Sequence, residues 1–285
     1  MSTILIKNGT LIDGSGSKRY LADILIENEK IKKIGKLDLT ADKVIDASGK
    51  IVSPGFIDTH SHSDLKVLIE PFVEPKIRQG ITTEILGQDG ISMAPLPEEY
   101  VSSWRKNLAG LDGDSDELKW NWKNTDGYLN LISKTGSGPN ELYLVPHGNI
   151  RMEAMGLEAR VATKEELEKM KEITRREMEA GVAGLSTGLI YIPCAYAETE
   201  ELIEICKVAA EYGRPLVIHQ RSEADTMLES MQEVIRIAKE SGVKIHFSHF
   251  KICGQKNWKL IEPVIALLDK CKEEGINVSY DQYPY

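Results

Sequence analysis

His60 and His62, in the run Pro54-Gly55-Phe56-Ile57-Asp58-Thr59-His60-Ser61-His62-Ser63-Asp64, have the residue type and spacing of a metal-binding pair. Side chains two apart on a strand point to the same face, so two imidazoles there can converge on one ion. Ile51, Val52, Phe56 and Ile57 lead into them, and Pro54 and Gly55 punctuate the start. That pattern predicts a buried strand emptying into a cleft, where a hydrolytic metal would sit. Two later apolar runs also end in histidine: Pro215-Leu216-Val217-Ile218-His219 and, one strand-helix unit on, Lys244-Ile245-His246-Phe247-Ser248-His249. Four of the six histidines thus take the same topological position, which argues against coincidence. His246 lies three before His249, on the other face of the strand, and reads as structural.

The rest of the chain must position these residues. Its 285 residues suffice for one large α/β domain with a small appendage. Hydrophobic residues make up 41%, and no apolar run approaches the roughly 20 residues that span a bilayer. The opening Met1-Ser2-Thr3-Ile4-Leu5-Ile6-Lys7 lacks the basic start and long apolar stretch of a signal peptide. A formal net charge of −9 argues against a nucleic-acid-binding face. Cys194, Cys206, Cys253 and Cys271 form no Cys-x-x-Cys pair, which fits a reduced cytoplasmic setting.

Residues 1–52 carry short strand-like runs (Thr3 to Lys7, Ala22 to Glu27, Lys30 to Ile34, Lys43 to Asp46) separated by turn residues such as Gly9, Asn28 and Gly49. They predict a small β-sheet appendage. Residues 53–285 alternate strand and helix, with helices opened at Thr163 and Thr199 and stopped at Gly181, Gly213, Gly242 and Gly275. Such alternation predicts a parallel sheet with helices outside it. Functional residues at several strand ends favour a β/α (TIM-like) barrel over a doubly wound sheet, which would show a glycine-rich phosphate loop after its first strand. Candidate strands end near His62, Asp89, Arg151, Tyr191, Arg221, Lys251 and Tyr285, so strands 1 to 7 are legible and strand 8 is missing.

Five segments carry a resemblance to the amidohydrolase superfamily, and more closely to its D-aminoacylase (N-acyl-D-amino-acid deacylase) branch. They are the His60/His62 run, Gly184-Leu185-Ser186-Thr187-Gly188-Leu189-Ile190-Tyr191, His219-Gln220-Arg221-Ser222-Glu223, Ser248-His249-Phe250-Lys251 and Asp281-Gln282-Tyr283-Pro284-Tyr285. The resemblance implies a metal-dependent-hydrolase barrel plus a small β-sandwich built from both chain ends, of which residues 1–52 supply one half. It implies His60 and His62 as ligands of one metal and His219 and His249 as ligands of a second, tighter site. Where this branch often has a bridging cysteine, Gly87-Gln88-Asp89-Gly90 offers Asp89. A carboxylate is a competent oxygen ligand for zinc, although a harder one than a thiolate.

Zinc, as one or two ions, would supply the nucleophile and the charge stabilisation that amide hydrolysis needs at neutral pH. A carboxylate must then move the proton to the leaving nitrogen. The resemblance puts that general-base aspartate at the end of the eighth strand, beyond Tyr285; Asp281, on the seventh, is not its equivalent. For the carboxylate of an N-acyl amino acid it suggests Lys251 and Tyr283, with Arg221, two past His219, as a further cation. His147, expected to end the third strand, is a candidate for the pocket wall. The expected reaction is hydrolysis of N-acyl-D-amino acids to a carboxylate and a free D-amino acid. Alternatives are hydrolysis of a cyclic amide or isoaspartyl dipeptide, and a metal-binding half that is inactive without a complementing C-terminal segment or self-association.

Overall fold

The computed structural model describes residues 2–284, so Met1 and Tyr285, the latter expected near the end of the seventh strand, lie outside the described residues. The chain divides into two compact units, 1–56 and 57–285.

The first unit is a mixed sheet of β1 (Thr3–Leu11), β2 (Tyr20–Glu27), β3 (Lys30–Gly35), β4 (Lys43–Asp46) and β5 (Ile51–Val52). β1 runs antiparallel to β2 and parallel to β4 and β5, and β3 pairs antiparallel with β2. Asn28 and Glu29, both at positive φ, make the two-residue turn between β2 and β3, the conformation that matches the twist of a hairpin. Asp23 ties the unit together: its carboxylate accepts the Asn8 N–H at 2.8 Å and the Leu37 N–H at 2.9 Å. Ile51 and Val52 belong to this sheet, beside Thr10 and Leu11, and do not run on into the strand before the histidines.

The second unit holds strands β6 (Phe56–Asp58, entered at the boundary residue), β7 (Ile81–Leu86), β8 (Asn140–Pro146), β9 (Gly184–Gly188), β10 (Leu216–His219), β11 (Ile245–Phe247) and β12 (Val278–Tyr280). Its helices are α1 (Lys66–Ile69), α2 (Glu74–Ile77), α3 (Val101–Asp112), α4 (Thr125–Thr135), α5 (His147–Met155), α6 (Lys164–Glu179), α7 (Thr199–Glu211), α8 (Met227–Ser241) and α9 (Ile261–Glu273). The strands lie side by side in sequence order, β6 to β12, and the registers from β7 to β12 are parallel. A doubly wound sheet reverses its strand order at a switch point, and this one never does. It is an incomplete TIM-like barrel.

The sequence signals at element ends hold where side chains form the cap. Thr163 and Glu166 make the reciprocal capping box of α6, whose Met170 and Ile173 are buried. α7 buries Leu202, Ile205 and Ala209, and α8 buries Met231, Val234 and Ala238 before the left-handed Gly242. Boundaries shift elsewhere. The third strand stops at Pro146, and Arg151, expected near its end, lies inside α5. The fourth ends at Gly188, three residues before Tyr191. The run before His60 is not a buried strand, because β6 is the last strand of its sheet; Phe56 and Ile57 are 61% and 60% exposed. Among the described residues, no helix is long and apolar enough to cross a membrane.

Candidate metal centre

The four expected histidines sit at or just past three strand ends. His219 is the last residue of β10, while His60 and His62 follow β6, and His249 follows β11. The two-residue spacing of His60 and His62 therefore works in an irregular segment, not on a strand face as the sequence suggested. The backbone there is pinned: Asp58 Oδ1 accepts the His60 N–H at 3.2 Å, and the Ser61 hydroxyl donates to Glu84 at 2.7 Å. His249 takes φ 38°, a left-handed conformation costly for a side chain, and its N–H donates to Asp281 Oδ1 at 2.5 Å.

Asp89 lies at the centre of the four. Its Oδ2 is 3.7 Å from His60 Nε2 and 3.4 Å from His62 Nε2. Its Oδ1 is 3.8 Å from His219 Nδ1 and 3.7 Å from His249 Nε2. One carboxylate thus turns one oxygen to each histidine pair. In each pair, one nitrogen from either histidine and an Asp89 oxygen all lie within 4.8 Å of one another.

The turn presenting Asp89 leaves little choice of residue. Gly87, Asp89 and Gly90 all have positive φ, at 78°, 57° and 72°. A Cβ on Gly87 would lie 2.1 Å from the Leu144 carbonyl oxygen, and one on Gly90 would lie 2.8 Å from Cys194 Sγ. Aspartate is among the few side-chain-bearing residues that tolerate this region. The Ser186 hydroxyl of β9 donates to the Gly87 carbonyl at 2.5 Å and accepts the Gly90 N–H at 3.1 Å, clamping the turn from both ends.

Burial and charge shape the protonation of these groups. Burial lowers the His60 imidazole, but the carboxylates of Asp281 and Asp89 outweigh it and bring it to about 9. His249 reaches about 9 in the same way, against burial, through Asp89 and Glu223. Burial dominates at His219, which falls to about 4. Asp89, although buried, is held well below the usual carboxylate range by His249, His60 and His62.

Three carboxylates stand behind the ring nitrogens that face away from Asp89. Glu223 Oε1 is 2.8 Å from His249 Nδ1, Asp281 Oδ2 is 3.7 Å from His60 Nδ1, and Asp112 Oδ1 is 3.9 Å from His62 Nδ1. Outer carboxylates of this kind fix the tautomer and orientation of metal-ligating histidines. Sequence reasoning assigned none of the three to the site. Glu223 and Asp281 fall within the motifs that carry the resemblance, whereas nothing in the sequence marks Asp112. His246 turns out to support Asp281, with Nε2 2.9 Å from Asp281 Oδ2.

A divalent cation fits the donor set. Asp89 Oδ1 and His219 Nδ1 are buried without a hydrogen-bond partner and face each other across 3.8 Å. Buried acceptors are rarely left unpaired. Imidazole nitrogens with a carboxylate are characteristic zinc donors.

The residues expected to bind substrate divide. Lys251 Nζ reaches Glu223 Oε2 at 2.7 Å, lies 3.0 Å from His249 Nδ1 and sits 5.2 Å from the centre of the Tyr283 ring, so both residues border the site. Burial lowers the Lys251 ammonium, but Glu223 more than compensates and keeps it charged. Arg221 points elsewhere: its guanidinium pairs with both oxygens of Glu233 at 2.9 Å and donates to the carbonyl of Ala197. His147 lines no open pocket. It opens α5, is fully buried, and engages Thr187 Oγ1 at 2.9 Å and Glu201 Oε1 at 2.7 Å.

Comparison with known proteins agrees with this geometry. The amidohydrolase family matches residues 43–269. The D-aminoacylase of Alcaligenes xylosoxydans xylosoxydans is 35% identical over 99% of this chain and 57% of its own length. The N-acyl-D-glutamate deacylase of the same organism is 36% identical over the same shares. The crystal structure of N-acyl-D-glutamate deacylase from Bordetella bronchiseptica, complexed with zinc and a phosphonate mimic of the tetrahedral intermediate, superposes with a TM-score of 0.92 at 35% identity. That match covers 100% of this chain and 59% of the deacylase chain. The chain therefore spans a little under three fifths of the proteins it resembles. With most of its length matched by the family, the strands of its second unit in unbroken sequence order and four histidines gathered around one aspartate, the chain belongs to the amidohydrolase family.

Proposed function

We propose that this chain forms the metal-binding part of a zinc-dependent hydrolase that cleaves the amide bond of N-acyl-D-amino acids. The observation that carries the reading is the division of Asp89, one oxygen toward His60 and His62 and the other toward His219 and His249. Zinc held by these five residues would supply an activated water and polarise the amide carbonyl. The ammonium of Lys251, flanked by Tyr283, offers a cation for the substrate carboxylate, and Glu223 holds it beside His249. The general base that carries the proton to the leaving nitrogen belongs, on this reading, to sequence beyond residue 285, as the greater length of the relatives supports. Four free thiols fit a reducing, cytoplasmic setting.

The test is metal content of the purified protein by mass spectrometry, together with hydrolysis of an N-acetyl-D-amino acid panel by the complete enzyme. Bound zinc and release of free D-amino acid, both lost with His219→Ala or chelation, are the expected results. Activity indifferent to chelation ends the proposal, and ring opening without a second product would transfer it to cyclic amides.

The bare edges of the second sheet favour a further reading, in which the 285-residue chain is inactive until a complementing segment or a second copy joins it. Ile57 in β6 and Tyr280 in β12 are 60% and 54% exposed at the two ends of the strand order. Turnover by the 285-residue chain alone would eliminate this reading.

A further inference from the structure

Behind the His60/His62 pair lies a second acidic cluster that the proposed chemistry does not use. Asp64 follows His62 by two residues, and Asp112 ends α3; they are 1% and 6% exposed. One ligand atom from each, with one from His62, lie within 4.8 Å of one another. Asp64 is half satisfied: its Oδ1 accepts the Gly87 N–H at 2.8 Å and the Ser92 hydroxyl, while its Oδ2 has no hydrogen-bond partner. Neither oxygen of Asp112 has one. Nδ1 of His62 stands 3.9 Å from Asp112 Oδ1, about 1 Å beyond hydrogen-bond length.

A neutral imidazole that offers the Nε2 lone pair to a cation carries its proton on Nδ1, and that N–H requires an acceptor. We propose that Asp112 is a positioning residue: its carboxylate accepts the Nδ1–H of His62, fixing the ring so that Nε2 faces Asp89. Asp112 thereby sets the cation affinity of the His60/His62 half and leaves the His219/His249 half untouched. This rests on the reading of the four histidines as a metal centre. Asp64, anchored to Gly87 and Ser92, forms the fixed wall of the same recess. Asp112 reaches it from a helix remote in sequence from every histidine.

The test compares metal binding by the wild-type 285-residue chain, Asp112→Ala and Asp112→Asn, with His60→Ala assigning which equivalent belongs to which half. Competitive chelator titration with zinc and absorption titration with cobalt(II) give the affinities and the ligand field. Asp112→Ala is expected to weaken the His60/His62 equivalent about 10–100-fold, shift its cobalt spectrum and leave the other equivalent unchanged. Asp112→Asn, which keeps an acceptor oxygen, is expected to recover most of that loss. Histidine ring 15N shifts of the zinc-loaded wild type, which need no variant, should show His62 protonated on Nδ1. Wild-type affinities in Asp112→Ala, equal weakening of both halves, or His62 protonated on Nε2 would each overturn the proposal. Loss of a whole extra equivalent would also overturn it, since the carboxylates would then hold a cation of their own. A wild type that binds no metal would instead sink the metal-centre reading, a result distinct from all of these.

Discussion

Asp89 combines two demands that rarely coincide in one residue. It must stand in the left-handed region, and it must offer two oxygens in opposite directions. Asp89→Asn separates them, because asparagine tolerates the backbone but removes the charge. We expect Asp89→Asn to lower the melting temperature of the metal-free protein near neutral pH, because the histidines that hold the carboxylate ionised lose their partner, while zinc affinity falls by more than about 100-fold. Scanning calorimetry and equilibrium dialysis measure the two effects. A second carboxylate gives a pH prediction away from the centre. Burial, reinforced by Glu84 opposite it in the β7–β8 register, raises Glu141 to about 7. The folded state therefore holds a proton that the unfolded chain has lost, and stability declines as pH rises from about 4.5 through 7. Glu141→Gln should flatten the fall in melting temperature between pH 5 and 8, roughly the window this difference opens. His219 and His249 were marked by the apolar runs they close, and His60 and His62 by their two-residue spacing, although that spacing falls in an irregular segment past β6. Asp89 was legible through the resemblance alone. Arg221 and His147 were named for the pocket from their place along the chain, which does not reveal that Glu233 and Glu201 reach them from neighbouring helices.

Elements were most legible where a cap or a stop residue closed a periodic run. β4 spans the four residues expected, and the box at Thr163 opens α6 where the sequence placed it. Thr163→Ala should cost about 1 kcal/mol in urea unfolding, the usual value of such a cap. α5 escaped notice because it has no amphipathic signal: His147, Gly148, Asn149, Ile150, Arg151 and Met152 are all buried, so no polar face marks the helix. The turn at residues 87–90 is the element with least tolerance. Gly87→Ala combines a left-handed cost of about 1–2 kcal/mol with a clash against the Leu144 carbonyl. We expect it to lower stability by at least that amount and to reduce zinc retention. A variant that melts and binds zinc like the wild type would show the turn is less constrained than the packing implies.

For the molecule as a whole, strand order was readable from strand-helix alternation, with β6 and β12 the outer strands of the second sheet among the described residues. Exposure on α9 was not, since its apolar run looks like any core-facing helix. Val264 and Cys271 are buried, but Ile261 and Ile265 are 47% and 44% exposed beside the exposed Tyr280 and Trp258. Apolar surface next to a free strand edge promotes association. The 285-residue chain should sediment as concentration-dependent oligomers, and Ile261→Lys with Ile265→Lys should shift it toward monomer; a monodisperse wild type counts against this.

The unbroken order of the strands also has a temporal meaning. Each strand of the second sheet docks against the one synthesised just before it, so the sheet can grow as the chain leaves the ribosome. His60, His62 and Asp89 emerge together early, and His219 and His249 arrive only once β10 and β11 are added. A cation present during translation would meet a half-built cradle first, and the nascent protein would pass through a one-sided stage before the centre closes.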